Sequence, residues 1–455
     1  MIRELTEGDY DMSIEASDWR FSAVICGMKK YFTYYDSSKY EINKDCLLFN
    51  TNDITEKKFL MFIEKYYQDE MHHIIIESMI NCDEITEEII KAVNEKLGAN
   101  KILQDTFKGI KFDGKNKEEI LEKIDKNRLD IISNTFKNKK KLYRNYCNTN
   151  CLFSDEQTTC RLLGYSIDTG KKGKSISYNF DNNKMDTTDT KYFDFIPLAF
   201  TGDNESFFIN DNSDLEGLIS SNNLLKMKIQ EQLKLDKKNS PRSTLFYSII
   251  ESTDFIDFDV EVIQKDIDKG FFETLFIRKE SIAILKELDN YVDYQALNVS
   301  YKLNENNYIN VIKEVMNSIL NQVFLDNLIE MFIKNNRSYI ASQLIKINLL
   351  IRKGGETMRR LMNEARDCAN EVNKSIPDNK INSYKQKLIS AIIFKDKDRA
   401  CQILLQLSNY SKVKFDFAYS LFDNFDKNKD LIYTFVNALG HASSSDRNKG
   451  GNNNE

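Results

Sequence analysis

Histidine is scarce in this chain of 455 residues, which has only three, at positions 72, 73 and 441. His72 and His73 are adjacent within a predicted helix, so their side chains point about 100° apart and are poorly placed to bind one metal ion. We predict that both are solvated or packed. No Gly-rich phosphate loop, nucleophile elbow or HExxH motif occurs. The sequence therefore predicts no enzyme, and a hydrolase with scattered catalytic carboxylates is the least favoured alternative.

Proline and tryptophan are also rare, with three and one residues, a bias typical of a low-GC genome that says little about function. No apolar run reaches the roughly 18 residues that a membrane span needs. Residues 1–18 are polar and acidic, unlike a signal peptide. The eight cysteines have no disulfide-framework spacing, which predicts reduced thiols in a cytoplasmic protein. We expect no cofactor.

The net charge of the chain is −6. An acidic protein does not attract phosphate backbones through its overall field, so contact with nucleic acid needs local basic patches. Most basic runs are solvated surface, and the Gly/Lys loop at residues 168–175, DTGKKGKS, lacks nucleotide-loop spacing. The candidate nucleic-acid-binding residues lie in three basic segments: Lys139, Lys140, Lys141 and Arg144; Lys171, Lys172 and Lys174; and Arg352, Lys353, Arg359 and Arg360.

The segment Lys191–Asn210, KYFDFIPLAFTGDNESFFIN, is organised as a predicted β-hairpin. An apolar-rich period-2 pattern over Phe193–Phe200 leads into turn residues at Thr201–Asn204, and Ser206–Ile209 supply the return strand. Pro197 has no N–H to donate, so the first strand is expected at an edge or with a bulge. Because both faces are apolar, the hairpin should be buried on both sides.

A helix is predicted to begin at Trp19, with Ser17 or Asp18 as its cap and one apolar face along its length. Gly27 inside this helix costs about 1 kcal/mol relative to alanine, which favours a close packing contact there. A second long helix is predicted over residues 55–80.

Cys147, Cys151 and Cys160 lie in a segment that breaks the helical pattern. Structural zinc needs four ligands, often as two C-x₂₋₄-C pairs. Here one pair is followed by a single cysteine, and no histidine is near. We predict a zinc-free remnant or buried thiols rather than a metal site.

The predicted fold class is α+β. A mixed helix/strand body is expected over residues 1–300, with a basic, cysteine-containing insertion at about 137–180. A helical bundle is expected over residues 301–442. The polar tail at residues 443–455 should be disordered.

Two stretches resemble the large-subunit family of type I-B CRISPR Cascade complexes. SDWRFSAVICGMKKYFTYY, from Ser17 to Tyr35, resembles the N-terminal aromatic helix of that family, and FDFIPLAFTGDNESFFIND, residues 193–211, resembles its central motif. The order of features matches over roughly residues 1–210. The helical last third agrees with a family in which that region packs like a small subunit.

The resemblance implies a protein without catalytic activity that holds the 5′ handle end of the CRISPR RNA. It also implies recognition of the protospacer-adjacent motif in target double-stranded DNA and recruitment of the helicase–nuclease. Its partners would include the other Cascade subunits, the backbone and small subunits among them, and we expect Lys171, Lys172 and Lys174 to touch the target duplex. The alternative is a cytoplasmic helical scaffold that binds partner proteins without nucleic acid.

Residues Lys353–Glu356 can be encoded as AAAGGAGGTGAA, a strong bacterial ribosome-binding sequence, and Met358 follows shortly after. Translation that restarts there would yield a separate helical small subunit, residues 358–455. The alternative is a glycine break between two helices.

Overall fold

The computed structural model describes residues 1–82, 84–99, 101–154, 161–163, 189–211, 214–234, 259–289, 291–303 and 308–440. Lys171, Lys172, Lys174 and the predicted tail lie outside these ranges. Among the described residues, one compact unit ends at residue 276 and a second begins at residue 277. The α+β class is confirmed, because small antiparallel sheets accompany many helices and the C-terminal region is helical.

The first helix, α1 (Trp19–Tyr35), begins where the sequence predicts. Asp18 is its N-cap, and the side chain of Asp18 accepts a hydrogen bond of 2.8 Å from the backbone N–H of Arg20. Next to α1 lies a four-stranded antiparallel sheet with the order β1-β2-β4-β3. Its strands are β1 (Ile2–Glu4), β2 (Met12–Glu15), β3 (Tyr40–Ile42) and β4 (Cys46–Phe49).

The single helix predicted over residues 55–80 is wrong. Two helices occupy this range, with a 3₁₀ turn at Gln68–Glu70 between them. At the break, the Tyr67 hydroxyl donates a hydrogen bond of 3.3 Å to the carbonyl oxygen of Pro197, a long-range contact that local periodicity does not reveal. The helices of this region are α2 (Glu56–Tyr66), α3 (His72–Ile80), α4 (Glu87–Ala99), α5 (Lys101–Phe107), α6 (Lys117–Asn138) and α7 (Tyr143–Tyr146).

The predicted hairpin over residues 191–210 is wrong in its first half. Lys191–Phe195 form a 3₁₀ helix and Ile196–Ala199 form a turn of α-helix, α8. Pro197 lies in the first turn of α8, where a missing N–H costs nothing. Because residues 192–199 are all buried, their apolar pattern carries no period that separates strand from helix.

The second half of the hairpin is confirmed. β5 (Thr201–Gly202) pairs with β6 (Glu205–Asn210), and Gly202 has a φ of +141° at the turn. A four-stranded sheet with the order β5-β6-β7-β8 continues through β7 (Val260–Asp266) and β8 (Phe272–Ile277). The helix α9 (Leu215–Lys234) is held to β6 by Asn222, whose amide exchanges two hydrogen bonds with the backbone of Ile209.

The described residues of the second unit form mainly helices, together with a two-stranded sheet of β9 (Ser300–Lys302) and β10 (Tyr308–Asn310). Its apolar stripes recur at helical spacing and account for its core. Its helices are α10 (Lys279–Asp289), α11 (Tyr294–Leu297), α12 (Val311–Asn321), α13 (Asp326–Lys334), α14 (Ser338–Ile351), α15 (Glu356–Ser375), α16 (Asp378–Ile393), α17 (Lys397–Ser411), α18 (Phe417–Asp423) and α19 (Lys429–Ala438).

Candidate nucleic-acid interface

The two stretches that carry the family resemblance pack directly against each other. A Cβ atom on Gly27 would lie 2.2 Å from the carbonyl oxygen of Phe195, so only glycine lets α1 approach this closely. The predicted close contact at Gly27 is therefore confirmed. The rings of Phe21 and Phe193 lie 5.5 Å apart between centroids. Both stretches belong to one hydrophobic core. This core fixes the position of α1 and therefore of the polar side chains that α1 carries, such as Lys29 and Lys30.

A buried ion pair fixes the second of these stretches, residues 193–211, which we call the central stretch. The Asp194 carboxylate accepts hydrogen bonds of 2.6 Å from Arg161 Nη1 and from the Tyr143 hydroxyl, and one of 2.7 Å from the backbone N–H of Phe153. Asp194 is fully buried and Arg161 nearly so. Burial raises the pKa of Asp194 to about 6, while the Arg161 guanidinium opposes that shift. These groups are enclosed, so their role is to hold the fold.

The described cysteines near this ion pair are part of the core. Cys147 and Cys151 are both buried, and the Cys147 thiol lies 3.9 Å from the carbonyl oxygen of Phe193. Burial raises the pKa of Cys147 well above its usual range. Cys160 lies outside the described residues. Within the ranges that the structure describes, no three His, Cys, Asp or Glu side chains gather around a point where a metal ion would fit.

The histidine pair is divided between two environments. His73 is buried, and its Nε2 lies 2.7 Å from the Glu64 carboxylate. His72 is only partly buried, and burial is the main cause of a lowered pKa for its imidazole. The two imidazole rings therefore lie in different environments.

The basic run after α6 is matched by carboxylates. Lys139 pairs with Glu70, Lys141 pairs with Asp203, and Lys140 Nζ lies 2.9 Å from Asp268. In this run of candidates, Arg144 is the exposed side chain without an ion pair to another described residue. The run thus presents far less net positive charge than its sequence indicates.

In the third basic segment, Arg352 stabilises the packing of the helices in the second unit. It is 10% exposed, donates to Asp326 Oδ1 at 2.6 Å, and approaches Asp430 Oδ2 at 3.3 Å. Its guanidinium also lies over the Phe324 ring, 3.9 Å from the centroid. These contacts are all within the second unit, so the guanidinium of Arg352 is engaged by the protein and is not directed at a ligand.

The rest of this segment flanks the glycine break before α15. Arg359 pairs with Glu287, and Arg360 Nε lies 3.6 Å from Glu364 on the same helix. Lys353 is exposed and has a φ of +56°. Met358 is the third residue of α15 and is partly buried.

The sequence reasoning missed a pocket of about 630 Å³ that four lysines line, which we call the lysine pocket. It opens where α2 and α9 pack against α1. No aspartate or glutamate is part of its lining. The lining residues are Cys26, Lys29, Lys30, Thr33, Tyr34, Phe62, Lys65, Tyr66, Ile219, Asn222, Asn223 and Lys226.

Two of these lysines are held in place by neutral oxygens. Lys30 Nζ donates a hydrogen bond of 2.7 Å to the carbonyl oxygen of Leu198 in the central stretch. Lys226 Nζ donates to the Tyr66 hydroxyl at 3.3 Å and lies 4.8 Å from the centroid of that ring. Burial alone would raise the pKa of Tyr66, but Lys30 and Lys226 together outweigh it and lower that pKa. The partners that hold these two ammonium groups are therefore neutral, and the pocket lining contains no carboxylate.

The other two lysines are nearer to solvent. Lys65 is exposed and donates at 3.3 Å to the side chain of Gln68, while Lys29 is partly buried. Neither forms an ion pair with another described residue. The sequence offered one signal for this pocket, the adjacent Lys29 and Lys30 in a largely apolar helix. Lys65 and Lys226 come close to them only because the helices pack together.

The family model described as CRISPR-associated protein Csx8 (Cas_Csx8) matches residues 10–439 of the chain. No curated protein and no solved structure matches this chain. Among the described residues, every helix is too short or too polar to cross a membrane.

Proposed function

This chain belongs to the CRISPR-associated Csx8 family, and we propose that it is the non-catalytic large subunit of a type I-B Cascade complex. In this proposal it binds the 5′ handle end of the CRISPR RNA and recognises the protospacer-adjacent motif in target double-stranded DNA. It then recruits the helicase–nuclease, and it works in the cytoplasm beside the backbone and small subunits. In such a complex, the protein reads the short motif and base pairing reads the remaining sequence.

The observation that carries the proposal is the lysine pocket. A chain with a net charge of −6 needs a local excess of cations to bind a phosphate backbone. The pocket gathers four ammonium groups without a carboxylate in its lining. It also lies beside the two stretches that resemble the large-subunit family, since Lys29 and Lys30 are on α1 and Lys30 contacts Leu198.

The test is an affinity purification of the full chain expressed with its neighbouring genes and repeat array. We expect a discrete RNA of guide length on a denaturing gel, together with partner proteins in fixed ratio. A purified chain that carries partner proteins but no RNA would contradict the proposal and favour a scaffold without nucleic acid.

We also propose that a small subunit is translated from Met358. The resulting fragment would retain α15 almost whole, together with α16–α19, and α15 packs against α19. It would lose the hydrogen bond of 2.7 Å that Asp430 accepts from Asn348, and the charge of Arg352, whose Nε lies 3.3 Å from Asp430 Oδ2. It would also lose α14, which packs against α19, and apolar side chains of α19 exposed to water destabilise a fold, so we expect the fragment to be stable only in the assembled complex.

Met358→Leu should remove a small protein that co-purifies with the complex, because it removes the start codon while keeping the side-chain volume. Met362→Leu, one helical turn further on, is the matched control and should leave the small protein in place. Persistence of that protein in the Met358→Leu preparation would refute the internal start.

A further inference from the structure

The size of the lysine pocket limits what it can hold. Its volume of about 630 Å³ falls within the roughly 300–1,000 Å³ typical of small-molecule sites. A single nucleotide is of this size, whereas a double helix is far wider and keeps its bases stacked inside. The pocket is therefore large enough for one nucleotide with an unpaired base, but not for a double helix.

The lining offers separate chemistry for a phosphate and for a base. Lys29, Lys65 and Lys226 offer ammonium groups, which bind phosphate as point charges. Tyr34 is 49% exposed, and exposed aromatic rings are the common platform for unpaired bases. Asn223, exposed on α9, adds a side-chain amide that can both donate and accept hydrogen bonds.

The pocket is also organised before any ligand arrives. Lys30 is anchored to Leu198 and Lys226 to Tyr66, so part of the entropy of ordering lysine side chains is already lost in the free protein. Asn222, by contrast, is committed to the backbone of Ile209 and is not available to a ligand.

We propose that the lysine pocket holds one unpaired nucleotide of a single-stranded nucleic acid, with its phosphate among the lysines and its base against Tyr34. This inference rests on the proposed function, since it identifies where that function would engage a strand. A guide RNA and a DNA strand displaced from the target share this chemistry, and the experiment distinguishes them.

The experiment measures binding of fluorescent 12-nucleotide single strands, one of RNA and one of DNA, and of a DNA duplex to the full chain. Lys29→Glu combined with Lys65→Glu should weaken single-strand binding at least tenfold and reduce the slope of log affinity against log salt. Tyr34→Ala should weaken it about fivefold with an unchanged slope, because stacking does not displace counterions. Duplex binding should change less than twofold in both variants.

The matched control is Lys111→Glu with Lys126→Glu, which reverses the same number of charges at two exposed lysines of the first unit outside the pocket and should change single-strand binding less than threefold. If Lys29→Glu with Lys65→Glu loses its folded circular dichroism spectrum, Lys29→Gln with Lys65→Gln replaces it, with an expected loss of single-strand affinity of about fivefold. Preference for RNA assigns the pocket to the guide, and preference for DNA assigns it to a displaced strand.

Unchanged single-strand affinity in the pocket variants would overturn the inference, as would an equal loss for the duplex or no single-strand binding by the unaltered chain. These failures are separable from failure of the proposed function. If the pocket variants still co-purify with guide-length RNA and bind single strands normally, only the pocket assignment falls. If the unaltered chain co-purifies with no RNA, the proposed function itself fails.

Discussion

The first unit contains two groups of lysines whose surroundings differ. In the run Lys139–Lys141, each ammonium group pairs with a carboxylate from another part of the chain. In the lysine pocket, the polar groups that hold Lys30 and Lys226 are a carbonyl oxygen and a hydroxyl, both neutral. The density of basic residues along the sequence therefore does not report where positive charge is available in the folded protein.

The two groups also differ in what supports them. Lys140 and Asp268 are both largely exposed, and exposed ion pairs contribute only about 0.2–1 kcal/mol to stability. The pocket depends on the buried core, because Lys30 binds the carbonyl oxygen of Leu198 in the stretch that Asp194 fixes. Disturbing the core should thus affect the pocket, whereas disturbing the run should leave the fold intact.

The largest expected effect comes from Asp194→Ala. This substitution leaves the buried guanidinium of Arg161 without its nearest carboxylate, which should lower the free energy of unfolding by about 3–5 kcal/mol. Urea unfolding followed by circular dichroism measures it. Asp268→Ala, which removes the exposed partner of Lys140, is the control and should cost less than about 1 kcal/mol. Equal losses in the two variants would contradict the distinction between a core-supported pocket and a surface run.

A smaller effect is expected when the run is released from its carboxylates. Asp203→Asn combined with Asp268→Asn keeps the side-chain shapes but removes the charges beside Lys141 and Lys140. Binding of single-stranded and duplex DNA should both tighten about two- to threefold at low salt, with a steeper salt dependence.

The control for this release is Asp416→Asn, which removes one exposed charge beside Lys414 in the second unit. It should not change binding measurably, since it adds no free cation to the first unit. A similar gain in the control would indicate that net charge alone governs binding, and it would remove the reason for comparing the two lysine groups.

Local signals predicted the parts of the fold that depend on neighbouring residues. The cap at Asp18 and the start of α1 follow from a side chain that accepts hydrogen bonds at the helix end. The contact at Gly27 follows from the cost of glycine in a helix. The first half of the hairpin was not predictable, because Pro197 suits both a strand edge and a first helical turn, and burial on all sides hides the period.

The lysine pocket could not be predicted from neighbouring residues in the sequence, for a different reason. Lys29 and Lys226 are far apart in the sequence and meet only because α9 packs on α1. The pairing of Lys141 with Asp203 is equally long-range. A sequence shows how many charges a segment holds but not which opposite charges the fold brings to it, so available and neutralised lysines look the same.

The smallest expected effect concerns Tyr66, whose pKa is lowered below its usual value of 10 because Lys30 and Lys226 together outweigh burial. As the pH rises through this lowered pKa, the phenolate forms inside the pocket and cancels one positive charge. Affinity for a 2′-O-methyl single strand, which survives alkali, should then fall about twofold in the unaltered chain but not in Tyr66→Phe. Tyr35→Phe should behave like the unaltered chain, because burial raises the pKa of Tyr35 and keeps its hydroxyl neutral in this range. Parallel pH curves for the unaltered chain and Tyr66→Phe would show that the pocket charge does not contribute to binding.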